Sequence, residues 1–238
     1  MTTLCQLLFF GGRFFSFRGF AWKMHGFLRA VNELTGLIMI DMDNGLAALH
    51  AFLIQLVQID DAAWEDMQGC FERRTYKKKA FFLEEGKICK EIAFAVKGSF
   101  RYFRTIDGQE KTTFFSFENN WVSAYSNFLN RTPSFISIEA MEDAELLVMN
   151  YDQLQQLYKR HGAVERFGRL MAEYLVTCLD ERMHSLLLKS PEERYLKALT
   201  DSRIYFERVP QHYVASYLGI APESLSRIRK RVTHKHVS

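Results

Sequence analysis

Gly219 stands between two short amphipathic segments, so the chain must turn there from one helix into another. Before it, Val214, Ala215, Tyr217 and Leu218 put small and apolar side chains on one helical face. After it, Ile220, Leu225, Ile228 and Val232 form a second inward stripe, opposite Glu223, Ser224, Ser226, Arg227, Lys230 and Arg231. Pro210 suits the first turn of the first helix, where an amide hydrogen would have no partner, and Pro222 opens the second. Gly219 falls where one helix stops and the chain turns, a position that favours positive φ. Two helices joined by a short glycine-containing turn describe a helix-turn-helix, whose second helix fits the DNA major groove. A plain helical hairpin with a solvated basic face shares the pattern, and charge weighs between them. From residue 203 to 238 there are seven Lys/Arg against two acidic residues, a net +5, whereas the whole chain is only +3. A basic end on an otherwise balanced chain is the electrostatic footprint of phosphate binding.

Upstream, the period of the apolar residues changes twice. Leu46, Leu49, Phe52, Leu53, Leu56 and Val57 recur at helical spacing from Asn44, and Asp60 or Asp61 offers an N-cap for a short helix carrying Trp64 and Met67. After Phe71, short segments rich in β-branched and aromatic residues take over: EIAFAVKG, SFRYFRT, EKTTFFSF, PSFISIEA and AELLVMN, with IDGQ as a tight hairpin turn. So many short strands at regular spacing predict an antiparallel sandwich or barrel. A short helix is expected over 151–159 and a long one over 163–188. In the long helix Val164, Phe167, Leu170, Met171, Tyr174, Leu175, Cys178 and Leu179 form a stripe wider than one neighbour needs. One side suits the β domain and the other a second copy of the helix, because helix-turn-helix modules commonly bind DNA as dimers.

Taken together, an N-terminal helix, a roll of short strands, a long helix and a C-terminal helix-turn-helix resemble the Crp/Fnr superfamily of bacterial transcription regulators. The segments that carry the resemblance are EEGKICKEIAFAVKGSFRYF, IDGQEK, IEAMEDAELLVMN, and SPEERYLKAL leading into VASYLGIAPESLSRIRKR, within roughly Asn44 to Val232. The chain looks most like the short Crp-like regulators of Bacteroidetes. The resemblance implies an α+β chain: a cyclic-nucleotide-binding-like antiparallel β-roll over 44–160, a dimerisation helix over 161–189 and a DNA-binding domain over 190–238. It also implies a cytoplasmic homodimer on a palindromic site in double-stranded DNA, with RNA polymerase as a further partner.

Carried over residue by residue, the resemblance puts base readers at Glu223 and Arg227 and a phosphate- or base-contacting hydroxyl at Ser224. Pro222 stands where many members have a base-reading arginine. With Gln211, His212, Ser226, Arg229, Lys230 and Arg231, these residues make the expected DNA surface; an α-helix N-terminus such as that at Gln211 and His212 suits phosphate. In members that bind cyclic AMP, a Gly-Glu pair and an Arg-Ser pair hold the ribose and the cyclic phosphate. Here Ser123 and Ala124 replace the first pair, and Ser134 and Phe135 the second. A buried phosphate without its charged partner is costly, so cyclic AMP is not the expected effector. Arg131 lies three residues upstream of Ser134 as a possible substitute. The aromatic run FFSFENNWVSAYSNF reads first as the filled interior of the roll. Its alternative is an apolar effector pocket among Phe117, Trp121, Tyr125 and Phe128, with Arg131 and Ser134 nearby.

Enzymatic motifs are missing from the sequence: it has no phosphate loop, no nucleophile elbow and no paired metal ligands. Cys5, Cys70, Cys89 and Cys178 are scattered without C-x-x-C spacing, so neither metal nor cofactor is expected. No apolar run reaches the ~18 residues that span a bilayer. Residues 1–43 are read as a separate Phe-rich extension, with seven of the chain's 21 phenylalanines before residue 42 and no followable period. Translation starting near Met39 or Met42 would explain that stretch as non-native. The rival to DNA reading is a ligand-sensing module that uses its basic helix on a protein partner.

Overall fold

The structure, a computed structural model, describes residues 42–235. The Phe-rich stretch 1–41 lies outside the described residues. Helix α1 (Met42–Ile54) carries the apolar face expected from the spacing, and Leu49, Phe52 and Leu53 are buried. Helix α2 (Asp61–Gln68) begins at Asp60, whose carboxylate accepts from the Ala63 amide at 2.8 Å. That bond satisfies one of the orphan donors at a helix start.

Eight strands then form two four-stranded antiparallel sheets, with orders β1-β8-β3-β6 and β2-β7-β4-β5. They are β1 (Glu72–Tyr76), β2 (Phe81–Leu83), β3 (Glu91–Lys97), β4 (Phe100–Ile106), β5 (Gln109–Ser116), β6 (Trp121–Val122), β7 (Ser137–Ala140) and β8 (Ala144–Asn150). Asp107 and Gly108 both have positive φ between β4 and β5, where Ile106 pairs with Gln109. This is the tight two-residue hairpin that an Asp-Gly pair favours, because both central residues need left-handed backbone. Ile138, Leu146, Phe94 and Phe100 are fully buried between the sheets.

Helix α3 (Tyr125–Asn130) interrupts the strands. Helix α4 (Tyr151–Arg160) is opened by a capping box in which Asn150 and Gln153 exchange side-chain and backbone bonds. The long helix α5 (Gly162–Leu188) is anchored at its start: Val164, Phe167 and Gly168 are buried, and Phe167 packs edge-on against Phe52 and beside Trp121. Toward its end Val176, Leu179, Met183 and Leu187 are exposed. The stripe read from the sequence is therefore divided along the helix: its first turns pack on the roll, Met171 and Tyr174 are half-buried, and the exposed apolar residues lie further toward the C-terminus. Helices α6 (Pro191–Asp201), α7 (Ile204–Arg208), α8 (Gln211–Leu218) and α9 (Pro222–Lys235) complete the described chain. No helix among the described residues is long and apolar enough to cross a membrane.

The α4–α5 contact depends on a missing side chain. A Cβ on Gly168 would collide with the Tyr158 hydroxyl and lie 2.5 Å from the ring carbon that bears it. Tyr158 is itself half-buried beside Tyr125 of α3, so the ring has little freedom to yield. Gly168→Ala should therefore lower stability by about 1–3 kcal/mol through overpacking, despite the gain in helix propensity. In a Tyr158→Ala background the same change should be neutral or stabilising by up to about 1 kcal/mol, which a double-mutant cycle in urea would measure.

Candidate nucleic-acid interface

Helices α8 and α9 meet at Gly219, whose φ of 68° and ψ of 37° are left-handed. The glycine amide donates to the Ser216 carbonyl, and the Ile220 amide donates back to Ala215 at 3.0 Å, so the turn closes the carbonyl end of α8. Val214, Ala215 and Leu218 are buried, as are Leu225, Ile228 and Val232 of α9. Helical spacing of about 100° per residue then brings Glu223, Ser226, Arg227 and Lys230 onto one outward face, and all four are exposed. Arg227 Nε donates to the Glu223 carbonyl at 3.4 Å. Ser224 is half-buried at one edge, on the side of Arg231, which pairs with Glu192 of α6 at 2.9 Å. Arg229 is exposed on the opposite flank. At the start of α8, Gln211 and His212 are exposed, and the His212 ring lies 4.0 Å from that of Tyr213. The nine residues expected from the sequence thus divide into a central face of four, two flanks and a helix start.

What holds this unit is strand β5. Phe115 and Phe117 belong to the same buried cluster as Tyr195, Tyr205, Val214, Leu218, Leu225 and Val232. Phe117 stacks on Tyr205 with centroids 5.7 Å apart, and Phe115 meets Tyr205 edge-on at 5.1 Å. Beside them the Thr112 amide donates to Ser216 Oγ at 2.9 Å. Arg101 of β4 is almost wholly buried between the rings of Phe103 and Tyr213, at 4.0 and 3.8 Å, and its Nη2 bonds Glu110 at 2.5 Å and Glu139 at 3.2 Å. Two arginines close the far end of α8. Arg194 Nε donates to the Leu218 carbonyl at 2.8 Å, and Arg182 of α5 donates to the Tyr217 carbonyl. Cations suit a helix C-terminus because its last carbonyls are otherwise unpaired.

The residues expected to surround an effector are not brought together as one group. Phe117 faces Tyr205 and the C-terminal helices, because Asn119, with a φ of 60°, turns the chain between it and Trp121. Trp121 packs on Phe94 and Phe167 at 5.7 and 5.9 Å, while Phe128 is fully buried against Tyr125 and Tyr151. These rings fill the roll. Arg131 points outward, 3.5 Å from Asp152 and over the Tyr151 ring. The Ser134 hydroxyl donates to the Ile136 carbonyl at 2.8 Å, and its backbone bonds Gly86 and Lys87, so the loop before β3 closes over it. Ser123 donates to the Glu91 carbonyl, and Ala124 is buried at the start of α3. A shallow cavity of about 610 Å³ lies instead along Phe81–Glu91.

Sequence reasoning passed over Arg101, Ser216, Tyr213 and Arg208. One signal was available: in SFRYFRT an arginine stands among Phe100, Tyr102 and Phe103 in an expected strand, where burial obliges it to find carboxylates inside the protein.

Residues 73–161 match the cyclic nucleotide-binding domain family. No curated protein matches the chain by sequence. Among solved structures, FixK2 from Bradyrhizobium japonicum aligns with a TM-score of 0.61 at 16% identity, covering 70% of this chain and 86% of that one. The c-di-GMP responsive global regulator CLP of Xanthomonas campestris gives 0.59 at 17% identity, over 74% and 93% of the two chains. A cyclic nucleotide-binding domain-containing protein from Listeria monocytogenes gives 0.58 at 19% identity, over 79% and 91%. These likenesses establish the fold.

One polar contact joins the roll to the C-terminal helices and responds to acid. Arg208 grips Glu118 through two bonds of 2.7 and 2.8 Å, and Glu142 through a third. Burial raises the Glu118 carboxyl, but the Arg208 guanidinium and the Gly98 amide outweigh it and hold the group below its ordinary 4.5. A carboxyl held low in the folded state stabilises at neutral pH, and that contribution is lost as pH falls through its folded value. Arg208→Gln should cost about 1–3 kcal/mol at neutral pH. The gap from wild type should narrow in thermal melts taken below pH 4.5.

Proposed function

Because residues 73–161 match the cyclic nucleotide-binding domain family and are set in the fold of Crp/Fnr-type regulators, we propose that the protein is a homodimeric, sequence-specific DNA-binding transcription regulator. The observation that carries this reading is the α9 face of Glu223, Ser226, Arg227 and Lys230, left open while the apolar sides of the same two helices are packed. Glu223 accepts from a cytosine amino group, Arg227 reaches guanine O6 and N7, and Lys230 lies one turn further toward the backbone. Ser224, Arg229, Arg231 and the α8 start at Gln211 and His212 supply phosphate contacts around that centre. RNA polymerase is the further partner such a regulator implies.

The division of labour runs along the chain, with a sensing roll over 44–160, a dimerisation helix over 161–189 and the DNA-reading unit over 190–238. Val176, Leu179, Met183 and Leu187 follow steps of three and four, the repeat of a two-helix seam. Cyclic AMP is not the effector in this reading, since Ala124 and Ser134 offer neither a carboxylate for the ribose nor a cation for the phosphate. No catalytic role is assigned to the chain.

A duplex selected by the wild type from a random library, titrated at several salt concentrations beside a scrambled duplex, tests the reading. Arg227→Ala should cost about 1–3 kcal/mol on the selected duplex only, and Lys230→Ala should weaken both and lower the salt slope by about one unit. Added cyclic AMP should change neither affinity. If neither substitution alters DNA affinity, α9 contacts a protein partner instead.

Dimerisation has its own test. Leu179→Arg places an unpaired charge in an apolar seam and should give monomers in sedimentation. A wild type that is already monomeric at micromolar concentration would refute the dimer.

A further inference from the structure

Helices α6 and α9 share one buried cluster, in which Tyr195 and Ala198 meet Leu225, Ile228 and Val232. Their backbones are thereby fixed against each other, and an ion pair joins them at the outer rim. Glu192 Oε2 lies 2.9 Å from Arg231 Nη1. The carboxylate next to it is engaged in capping α6: the Ser190 amide donates to Glu193 at 2.7 Å, and the Glu193 amide donates back to Ser190 Oγ at 3.3 Å. Glu192 is thus the acid of this first turn that is turned toward α9.

An acid in a first helical turn is favourable on its own account, since it faces the positive end of the helix. Two details of the pair exceed that role. The Glu192 side chain is 26% exposed and that of Arg231 57%, so the carboxylate is the seated member and the arginine the outward one. Arg231 is also held by one nitrogen alone: Nε and Nη2 have no partner among the described residues. Seven positions, or about 10 Å of helix axis, separate Arg231 from Ser224, and the two share one flank of α9. When a helix lies in the major groove, its outward face meets base edges and its flanks meet the phosphate walls.

We propose that Glu192 is a positioning residue for DNA binding: it seats Arg231 through Nη1 and presents the remaining edge of the guanidinium to a backbone phosphate. The inference rests on the DNA-binding reading above and deepens it, giving a role to an acid that itself touches no DNA. A planar guanidinium bonds a carboxylate and a phosphate at once, because its N–H groups point outward along several edges in a fixed geometry. A free arginine loses much of its rotamer freedom on binding, and Arg231 has given up part of that freedom before DNA arrives. Against this gain stands the repulsion between Glu192 and the phosphate. That repulsion acts across the width of a guanidinium at a wet, salt-screened surface, where the ordering of a long side chain is the larger effect.

The test titrates the full-length protein with the wild-type-selected duplex and a scrambled one at several salt concentrations. Glu192→Ala should weaken both duplexes about three- to fivefold with an almost unchanged salt slope, because the phosphate contact survives but must be ordered on binding. Glu192→Gln, which keeps an acceptor oxygen for Nη1, should restore most of the affinity. Arg231→Ala should weaken both duplexes and lower the slope by about two units for a dimer. In that background Glu192→Ala should bring no further loss. A Glu192→Ala variant that binds as tightly as wild type, or more tightly, overturns the proposal, since Glu192 would then be idle or merely repel DNA. So does an equal loss in the Arg231→Ala background, which would place the effect of Glu192 in α6 itself. Should Glu192→Ala fail to fold, Arg231→Lys decides: a lysine seated on Glu192 has no second edge, and DNA affinity equal to that of wild type overturns the proposal. A wild type that selects no duplex at all fails the DNA-binding reading itself, and the positioning role falls with it.

Discussion

Strand β5 is shared by two cores. Phe115 at its end and Phe117 just beyond it sit two residues apart, and both project into the cluster formed by Tyr205, Leu218 and Leu225. Fully burying one such ring is worth about 1.5–3 kcal/mol. The C-terminal helices therefore cannot leave the roll without exposing a wall of their own core. Their position is part of the fold, and most of the functional geometry follows from it.

Polar contacts refine what the aromatic rings establish. Arg101 brings a charge into the same boundary, sheathed by Phe103 and Tyr213 and compensated by Glu110 and Glu139. Arg208 ties Glu118 and Glu142 to α7. Arg182 reaches from the long helix to the last turn of α8. The roll, the long helix and the C-terminal helices thus converge on α8, and α9 is held through it. One side of the α8–α9 pair is committed to holding, which leaves the opposite side of α9 exposed.

The parts of this fold legible in the sequence were those with a local cause. Asp60 caps α2 because its own carboxylate reaches the Ala63 amide; Asp107 and Gly108 turn the hairpin because both accept left-handed backbone. Strands β3, β4, β5, β7 and β8 showed their aromatic and β-branched runs. Strands β1, β2 and β6 did not: ERRTY is mostly charged, and the other two are three and two residues long, too short to carry a period. The aromatic run from Phe114 to Phe128 illustrates the opposite failure. Nearness in sequence suggested one pocket, but a single turn at Asn119 sends Phe117 to the C-terminal helices and Trp121 to α5.

The sequence by itself determined the helix-turn-helix, since Gly219, the flanking prolines and the apolar stripes act within a few residues of one another. It likewise determined which side of α9 faces out, because burial of Leu225, Ile228 and Val232 leaves no other choice. Only the tertiary structure decided where that unit sits. Arg101 and Tyr213 are 112 positions apart in the chain, and Phe115 and Ile228 are 113 apart, yet the first pair stack and the second share one buried cluster. No local pattern announces that such residues will meet. Their contacts form because separate elements each carry an apolar face that must be covered, and which faces cover one another is settled only when the whole chain packs.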